Sequence, residues 1–144
     1  MFQTACVKTQ HMSQQVLTIL GSTGSIGVST LDVGARHPEK FRIVALAGHT
    51  QVAKLAAQCV QFQPQYAVVA DEGHAEALAK MLAASACRTE VLYGAQALID
   101  VASAEEVSGV MAAIVGAAGL PSALAAAKAG KTIYLANKET LVVA

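Results

Sequence analysis

The chain has 144 residues, of which 54% are hydrophobic and 14% are charged, and its formal net charge is 0. This length suits one domain with its own core, and the apolar content excludes an intrinsically disordered chain. A neutral chain without a basic run predicts neither a nucleic-acid partner nor a membrane partner, and its apolar runs are too short to span a bilayer.

Residues 1–15 carry neither periodicity nor the apolar core of a secretory signal, and a strand-like run follows them. We interpret this segment as an N-terminal extension or a remnant of cloning, with Met12 as a candidate natural start. The three cysteines are odd in number and lack CxxC spacing, which predicts reduced thiols rather than disulfides or a zinc site. Together these features predict a cytoplasmic enzyme domain.

Strand and helix patterns alternate along the rest of the chain. The predicted strands are largely apolar and cover residues 16–20, 41–47, 66–70, 89–93, 110–115 and 132–136. The predicted helices cover residues 25–36, 51–62, 73–86, 95–102 and 120–129. Apolar strands belong in a sheet covered on both faces, and short strand–helix connections require right-handed crossovers. The sequence therefore predicts an α/β fold with a doubly wound, Rossmann-like parallel sheet.

The last residues, 140–144, are mostly apolar and carry no cap, glycine or charge. A domain boundary would more often show polar, proline or glycine linker character. We therefore expect the chain to be the N-terminal part of a longer enzyme, with residues 16–144 forming one of its domains.

Three glycines, Gly21, Gly24 and Gly27, lie between the first strand and the first helix. A dinucleotide pyrophosphate needs a tight turn, a bare backbone that it can approach closely, and the amides of a helix N-terminus. Gly21 suits the tight turn, Gly24 the close approach, and Gly27 the packing of the helix against the strand. Hydroxyl donors to phosphate come from Ser22, Thr23 and Ser25. The GxxGxxG spacing departs from strict GxGxxG, so a plain strand-to-helix turn is the alternative. The absence of GxxxxGK[ST] excludes a nucleoside-triphosphate loop.

The end of the second strand indicates which dinucleotide binds. NAD-binding domains usually carry an Asp or Glu there for the ribose 2′-hydroxyl, whereas this chain has Gly48, His49 and Thr50. No carboxylate repels a 2′-phosphate, and both His49 and Thr50 can donate a hydrogen bond to one. The pattern therefore favours NADP over NAD, with a solvent-exposed loop histidine as the alternative role of His49.

Three segments carry a family resemblance: LTILGSTGSIGVSTLD at 17–32, AAIVGAAGL at 112–120 and ANKETL at 136–141. They resemble the N-terminal domain of the 1-deoxy-D-xylulose 5-phosphate reductoisomerase family, and the resemblance covers nearly all of residues 16–144. It implies that the full-length enzyme rearranges 1-deoxy-D-xylulose 5-phosphate and reduces it with NADPH to 2-C-methyl-D-erythritol 4-phosphate. The reaction is a step of non-mevalonate isoprenoid biosynthesis, and the resemblance implies that the enzyme needs a divalent metal, Mg²⁺ or Mn²⁺.

The resemblance also implies roles for individual residues. The pyrophosphate contacts are Thr23, Gly24, Ser25 and Ile26, and Gly48 with its neighbours meets the 2′-phosphate. Further cofactor contacts are Asn137 and Glu139, with Lys138 reaching the sugar-phosphate substrate. These three follow the sixth strand, at the sheet edge where ligands bind, and a charged turn that caps the next helix is the alternative. We also expect Gly116 and Gly119 to let the nicotinamide half approach the backbone, unless they only begin a helix.

Two departures from the family pattern limit these expectations. Family members often carry Lys-Asn where this chain has His49-Thr50, and an imidazole grips phosphate less firmly than a permanent cation. The implied metal ligands lie beyond residue 144, and no catalytic residue is expected within the chain. We therefore expect the chain alone to bind NADPH without turnover, and the full-length enzyme to be a homodimer. Another NADP oxidoreductase domain and a stand-alone NAD(P)-sensing module are the alternatives.

Overall fold

The computed structural model describes residues 14–113 and 120–135. Within these ranges, strands and helices alternate along the chain. The strands are β1 (Gln15–Leu20), β2 (Phe41–Ala47), β3 (Tyr66–Val69), β4 (Glu90–Tyr93), β5 (Gly109–Ala112) and β6 (Thr132–Leu135). The helices are α1 (Ser25–Arg36), α2 (Val52–Phe62), α3 (Glu72–Ala84), α4 (Ala95–Ser103) and α5 (Leu120–Lys128). No helix in these ranges is long and apolar enough to cross a membrane.

Every predicted strand and helix within the described residues is confirmed, and the differences lie at their ends. The α3 helix begins at Glu72 rather than at residue 73 because the carboxylate of Asp71 accepts a hydrogen bond from the His74 N–H at 3.0 Å. It ends before residue 86 because Ala86 has a left-handed backbone, with φ of 56°. The predicted end of the fifth strand, residues 114 and 115, lies outside the described residues.

All neighbouring strands in the sheet are parallel, and their order is β4-β3-β2-β1-β5-β6. The chain therefore winds outward from β1 to β4 and then returns through α4 to build the other half from β5. Helices α1, α2 and α3 pack on one face, and α4 and α5 on the opposite face. This doubly wound arrangement confirms the predicted fold class and creates a switch point between β1 and β5.

The central strand β1 shows why the strand patterns are continuously apolar. Leu17 and Ile19 belong to the core under α1, α2 and α3, whereas Leu20 belongs to the core under α4 and α5. Both faces of the strand are thus removed from water. Thr18 is also fully buried, and its Oγ1 donates to the carbonyl oxygen of Val101 at 2.7 Å, which satisfies the hydroxyl and ties α4 to the sheet.

Two buried cysteines lie in the core between α2 and α3. Cys59 and Cys87 are free thiols, as predicted for these two positions. The Cys87 Sγ lies 3.6 Å from the Cys59 carbonyl oxygen and 3.3 Å from the Thr89 Oγ1, which itself donates to the carbonyl of Pro64. The thiols therefore act as small apolar groups with local hydrogen bonds.

We expect the free energy of unfolding to fall as the pH rises above about 9, and part of this fall to disappear in Cys59→Ala. Burial raises the pKa of the Cys59 thiol from 9.0 to about 12, helped by the neighbouring Cys87 and opposed by a hydrogen bond with Thr89. The stability from this thiol is complete below the unfolded pKa. It is lost between pH 9 and 12, because only the unfolded chain releases the proton there.

Urea unfolding of both proteins at pH 7, 9 and 10.5 measures this effect. The difference in free energy of unfolding between wild type and Cys59→Ala should shrink as the pH rises. If the difference in free energy of unfolding stays constant over this pH range, the raised pKa of the Cys59 thiol would be contradicted.

Candidate functional site

The turn that follows β1 is built on Gly21. Its φ is 85°, in the left-handed region where residues with a Cβ are strained. The backbone N–H groups of Gly21 and Ser22 both donate to the carbonyl oxygen of Ala47, at 2.9 and 2.8 Å. These bonds fix the turn to the end of β2, so the tight turn predicted at Gly21 is confirmed.

The next two glycines of the turn have different reasons to be glycine. A Cβ on Gly27 would collide with the Gly21 carbonyl oxygen and lie 2.5 Å from the Ser22 Cα, so α1 packs directly on the turn. This confirms the close packing predicted for Gly27. A Cβ on Gly24 would meet nothing nearer than the Gly21 oxygen at 3.7 Å. The fold has room for a Cβ at Gly24, and the bare backbone there would let a ligand approach closely.

The N-terminus of α1 is open to an anion. Its N-cap residue, Gly24, has no side chain to accept a hydrogen bond, and its first turn contains no acidic residue. The first amides of a helix lack intrahelical acceptors and carry partial positive charge. Helix α4 is similar, because its N-cap residue is Gly94, with φ of 93° and no side-chain cap. In contrast, Asp71 caps α3.

A cleft of about 530 Å³ lies at the carboxyl edge of the sheet. Its lining consists of Gly21, Thr23, Gly24, Ala47, Gly48, His49, Val68, Val69, Ala70, Gly94, Ala95, Leu98 and Ala113. These residues lie at or just after the ends of β1, β2, β3 and β5 or around the first turn of α4, so both open helix N-termini contribute to the walls. The cleft includes both sides of the switch point between β1 and β5, the position where α/β sheets bind ligands.

The structure brings together most of the described residues that the sequence predicted for cofactor binding. Those lining the cleft are Gly21, Thr23, Gly24, Gly48 and His49. Three others border it without lining it: Ser25 and Ile26 are exposed in the first turn of α1, and Thr50 is exposed between β2 and α2. The predicted sites at Asn137, Lys138 and Glu139, and the glycines 116 and 119, lie outside the described residues.

The prediction that the Ser22 hydroxyl donates to phosphate is wrong. Ser22 is fully buried, and its Oγ donates to the Gln58 Oε1 at 2.7 Å. The Gln58 Nε2 donates in return to the Ser22 carbonyl oxygen at 2.8 Å. The backbone of the turn directs this side chain beneath the loop toward α2, so Ser22 holds the turn in place instead of facing the cleft.

Sequence reasoning missed the part that α2 plays in the site. Besides Gln58, this helix carries Lys54, whose Nζ donates to the Thr23 carbonyl oxygen at 3.1 Å. The two polar residues are four apart and therefore lie on one helix face. That spacing was visible in the sequence, but the contact joins residues more than 30 positions apart and depends on how α2 packs beside the turn.

The lining of the cleft carries few ionisable groups. Its described residues include no Lys, Arg, Asp or Glu, and His49 is the one titratable side chain among them. Gly48 is buried beside the turn, since a Cβ there would lie 2.8 Å from the Thr23 Cγ2. Among the described residues, no group of three or more His, Cys, Asp and Glu side chains could hold a metal ion. We therefore derive no metal site within them.

Comparisons with known proteins agree on one family. The sequence model of 1-deoxy-D-xylulose 5-phosphate reductoisomerase matches residues 17–144. The enzyme of that name from Laribacter hongkongensis is 58% identical over 130 residues, which are 90% of this chain and 33% of the relative. The Pseudomonas aeruginosa enzyme is 58% identical over 128 residues, or 89% and 32% of the two chains. The chain thus spans about a third of the length of these curated relatives.

Solved structures of the same enzyme share the fold. A crystal structure of DOX-P reductoisomerase with NADPH, fosmidomycin and magnesium superposes with a TM-score of 0.84 at 48% identity, covering 89% of this chain and 31% of that one. The Zymomonas mobilis enzyme in complex with NADPH gives a TM-score of 0.83 at 40% identity, covering 92% and 34%. The glycine turn, the switch-point cleft and these matches agree: the chain belongs to the 1-deoxy-D-xylulose 5-phosphate reductoisomerase family.

Proposed function

We propose that this chain is the NADPH-binding domain of a 1-deoxy-D-xylulose 5-phosphate reductoisomerase. One observation carries the proposal: the glycine turn presents the uncapped N-terminus of α1 and the bare backbone of Gly24 to a cleft at the switch point. This is the arrangement that a dinucleotide pyrophosphate requires. Two relatives of known structure are described as complexes with NADPH.

The residues of the cleft fit the parts of a dinucleotide. Gly24 and the first amides of α1 would hold the pyrophosphate, whose negative charge the helix N-terminus favours. The adenosine ribose would lie at the end of β2, beside Gly48 and His49, where this fold places it. The largely apolar walls, which include Val68 and Leu98, would exclude water from the base. When bound, NADPH supplies the hydride for reduction of the sugar phosphate.

The remaining parts of the reaction are proposals about the longer enzyme. There, Lys138 would contact the sugar phosphate, and Asn137 and Glu139 would contact NADPH. The ligands of Mg²⁺ or Mn²⁺ would lie beyond residue 144, and two copies of the enzyme would form a homodimer. We propose that this chain alone binds the cofactor without turnover. No observation favours another NADP oxidoreductase domain or a stand-alone sensing module, and the cytoplasmic location stays a prediction.

We expect the 144-residue chain to bind NADPH at least about tenfold more tightly than NADH, because a 2′-phosphate adds at least one charge-assisted hydrogen bond. Isothermal titration with each dinucleotide measures the two dissociation constants. Equal affinities, or tighter binding of NADH, would contradict the NADPH proposal.

A Gly24→Ala variant tests the location of the site. The variant should fold, because the added Cβ meets no atom closer than 3.7 Å. It should lose most of its affinity for both dinucleotides, because the side chain occupies the path of the pyrophosphate. Unchanged binding in this variant would place the dinucleotide elsewhere.

A further inference from the structure

The end of β2 poses a problem for NADPH recognition. In this fold the ribose 2′-position lies at that strand end, and NADP-binding domains place a permanent cation nearby. Here the strand ends at Ala47 and is followed by Gly48, His49 and Thr50, none of which is a permanent cation. The described lining of the cleft holds no Lys or Arg either. A cation for a 2′-phosphate must therefore come from a neighbouring element.

Helix α2 places Lys54 beside this strand end. The Lys54 Nζ lies 3.1 Å from the Thr23 carbonyl oxygen, and Thr23 lines the cleft. Gly48 abuts the same threonine, because a Cβ on Gly48 would lie 2.8 Å from the Thr23 Cγ2. Lys54 and Gly48 thus lie next to the same residue of the glycine turn, Thr23.

The direction of Lys54 is set by its own helix. Gln58, one turn further along α2, forms two hydrogen bonds with Ser22 and so holds this face of the helix against the turn. Leu55 and Cys59 are fully buried beside them, which prevents the helix from rotating. Lys54 therefore approaches the turn because the packing of α2 brings it there.

The chemistry of Lys54 suits a phosphate. A lysine ammonium has three donors, and the Thr23 carbonyl takes one of them in the described structure. The side chain is exposed, so a ligand at the rim of the cleft can reach it. No Asp or Glu occurs among the described lining residues to compete for the charge.

We propose that Lys54 is the cation that binds the 2′-phosphate of NADPH and thereby sets the preference for NADPH over NADH. This inference rests on the proposed function. It provides the 2′-phosphate with a permanent cation, which neither His49 nor Thr50 is. Lys54 acts by direct contact with the 2′-phosphate, so the effect of its charge should be confined largely to NADPH.

The test compares NADPH and NADH binding to three variants of the 144-residue chain by isothermal titration. Lys54→Gln removes the charge, Lys54→Arg keeps it, and Lys80→Gln removes the charge of an exposed lysine on α3 as a matched control. Lys54→Gln should bind NADPH about tenfold more weakly, as expected for the loss of one charge-assisted hydrogen bond. Its affinity for NADH should stay within about twofold of wild type, since NADH offers no phosphate to this charge.

Lys54→Arg and Lys80→Gln should both keep the preference for NADPH. A second pair of probes, 2′,5′-ADP and 5′-AMP, should show the same contrast, because they differ only in the 2′-phosphate. Matching melting temperatures would establish that all three variants are folded.

Three results would overturn the inference. If Lys54→Gln keeps the full preference for NADPH, another group recognises the 2′-phosphate, and the proposed function stands. If it weakens NADPH and NADH equally, Lys54 only supports the turn, and the proposed function again stands. If the wild-type chain binds neither dinucleotide, both the inference and the proposed function fail.

Discussion

Gly27→Ala should destabilise the chain by about 3 kcal/mol or more, which is at the upper end of the cost of overpacking. The added methyl would collide with the Gly21 carbonyl oxygen and lie 2.5 Å from the Ser22 Cα. Both obstacles are backbone, and the N–H groups of Gly21 and Ser22 are bonded to the end of β2. The turn therefore cannot shift to make room for the methyl group without losing those hydrogen bonds. Helix α1 must move away from the sheet instead.

The same helix provides the control. A Cβ on Gly34 would meet only the Ile43 Cδ1, at an ordinary contact distance of 3.7 Å. Gly34→Ala should therefore be neutral or stabilise the chain by up to about 1 kcal/mol, because alanine loses less backbone entropy than glycine in a helix. Urea unfolding of the two variants measures the contrast. If Gly27→Ala were as stable as Gly34→Ala, the close packing of α1 on the turn would be wrong.

Much of the fold was predictable because breakers and apolar runs mark its elements. Helix α1 and strand β2 have the predicted bounds, since Gly24 precedes the helix, His37-Pro38 follows it and Gly48 closes the strand. Local chemistry sets such boundaries. The order of strands in the sheet has no comparable local cause, and the alternation of elements predicted a doubly wound sheet without predicting which strands are neighbours.

The candidate site likewise has one part that follows from local sequence and another that depends on packing between distant elements. The role of Gly21 follows from its place in the turn, and its positive φ confirms it. The directions of Ser22 and Lys54 depend instead on where α2 packs, and no pattern within the turn itself contains that information. The wall of the cleft formed by Gly94 and the start of α4 likewise depends on the return of the chain to the other side of β1.

Gln58→Met should destabilise the chain by about 2 kcal/mol, since it leaves a buried hydroxyl and carbonyl of Ser22 without their partner. Methionine has a similar length, so packing is preserved while both hydrogen bonds are lost. Ser22 is fully buried, which prevents water from replacing the glutamine. In the wild-type chain the two bonds, 2.7 and 2.8 Å long, join the turn to α2.

A double-mutant cycle that combines Gln58→Met with Ser22→Ala separates the energy of the Gln58–Ser22 hydrogen bonds from the effect of general packing. Removing the Ser22 hydroxyl in the Gln58→Met background should recover about 1 kcal/mol, because one unsatisfied buried group disappears. In the wild-type background the same substitution should be destabilising. Additive effects of the two substitutions would contradict the pairing.

Gln58→Met should also weaken binding of NADPH and NADH by the same factor. Gln58 touches the turn through Ser22, and the buried Leu55 and Cys59 still hold α2 and Lys54 in place, so the substitution acts on the shape of the pyrophosphate site that both dinucleotides share. Lys54→Gln should affect NADPH alone. Titration of the two variants side by side therefore distinguishes positioning of the turn from recognition of the phosphate. A selective loss of NADPH binding in Gln58→Met would show that the glutamine acts on recognition of the 2′-phosphate, for example by directing Lys54, and not on the shared pyrophosphate site.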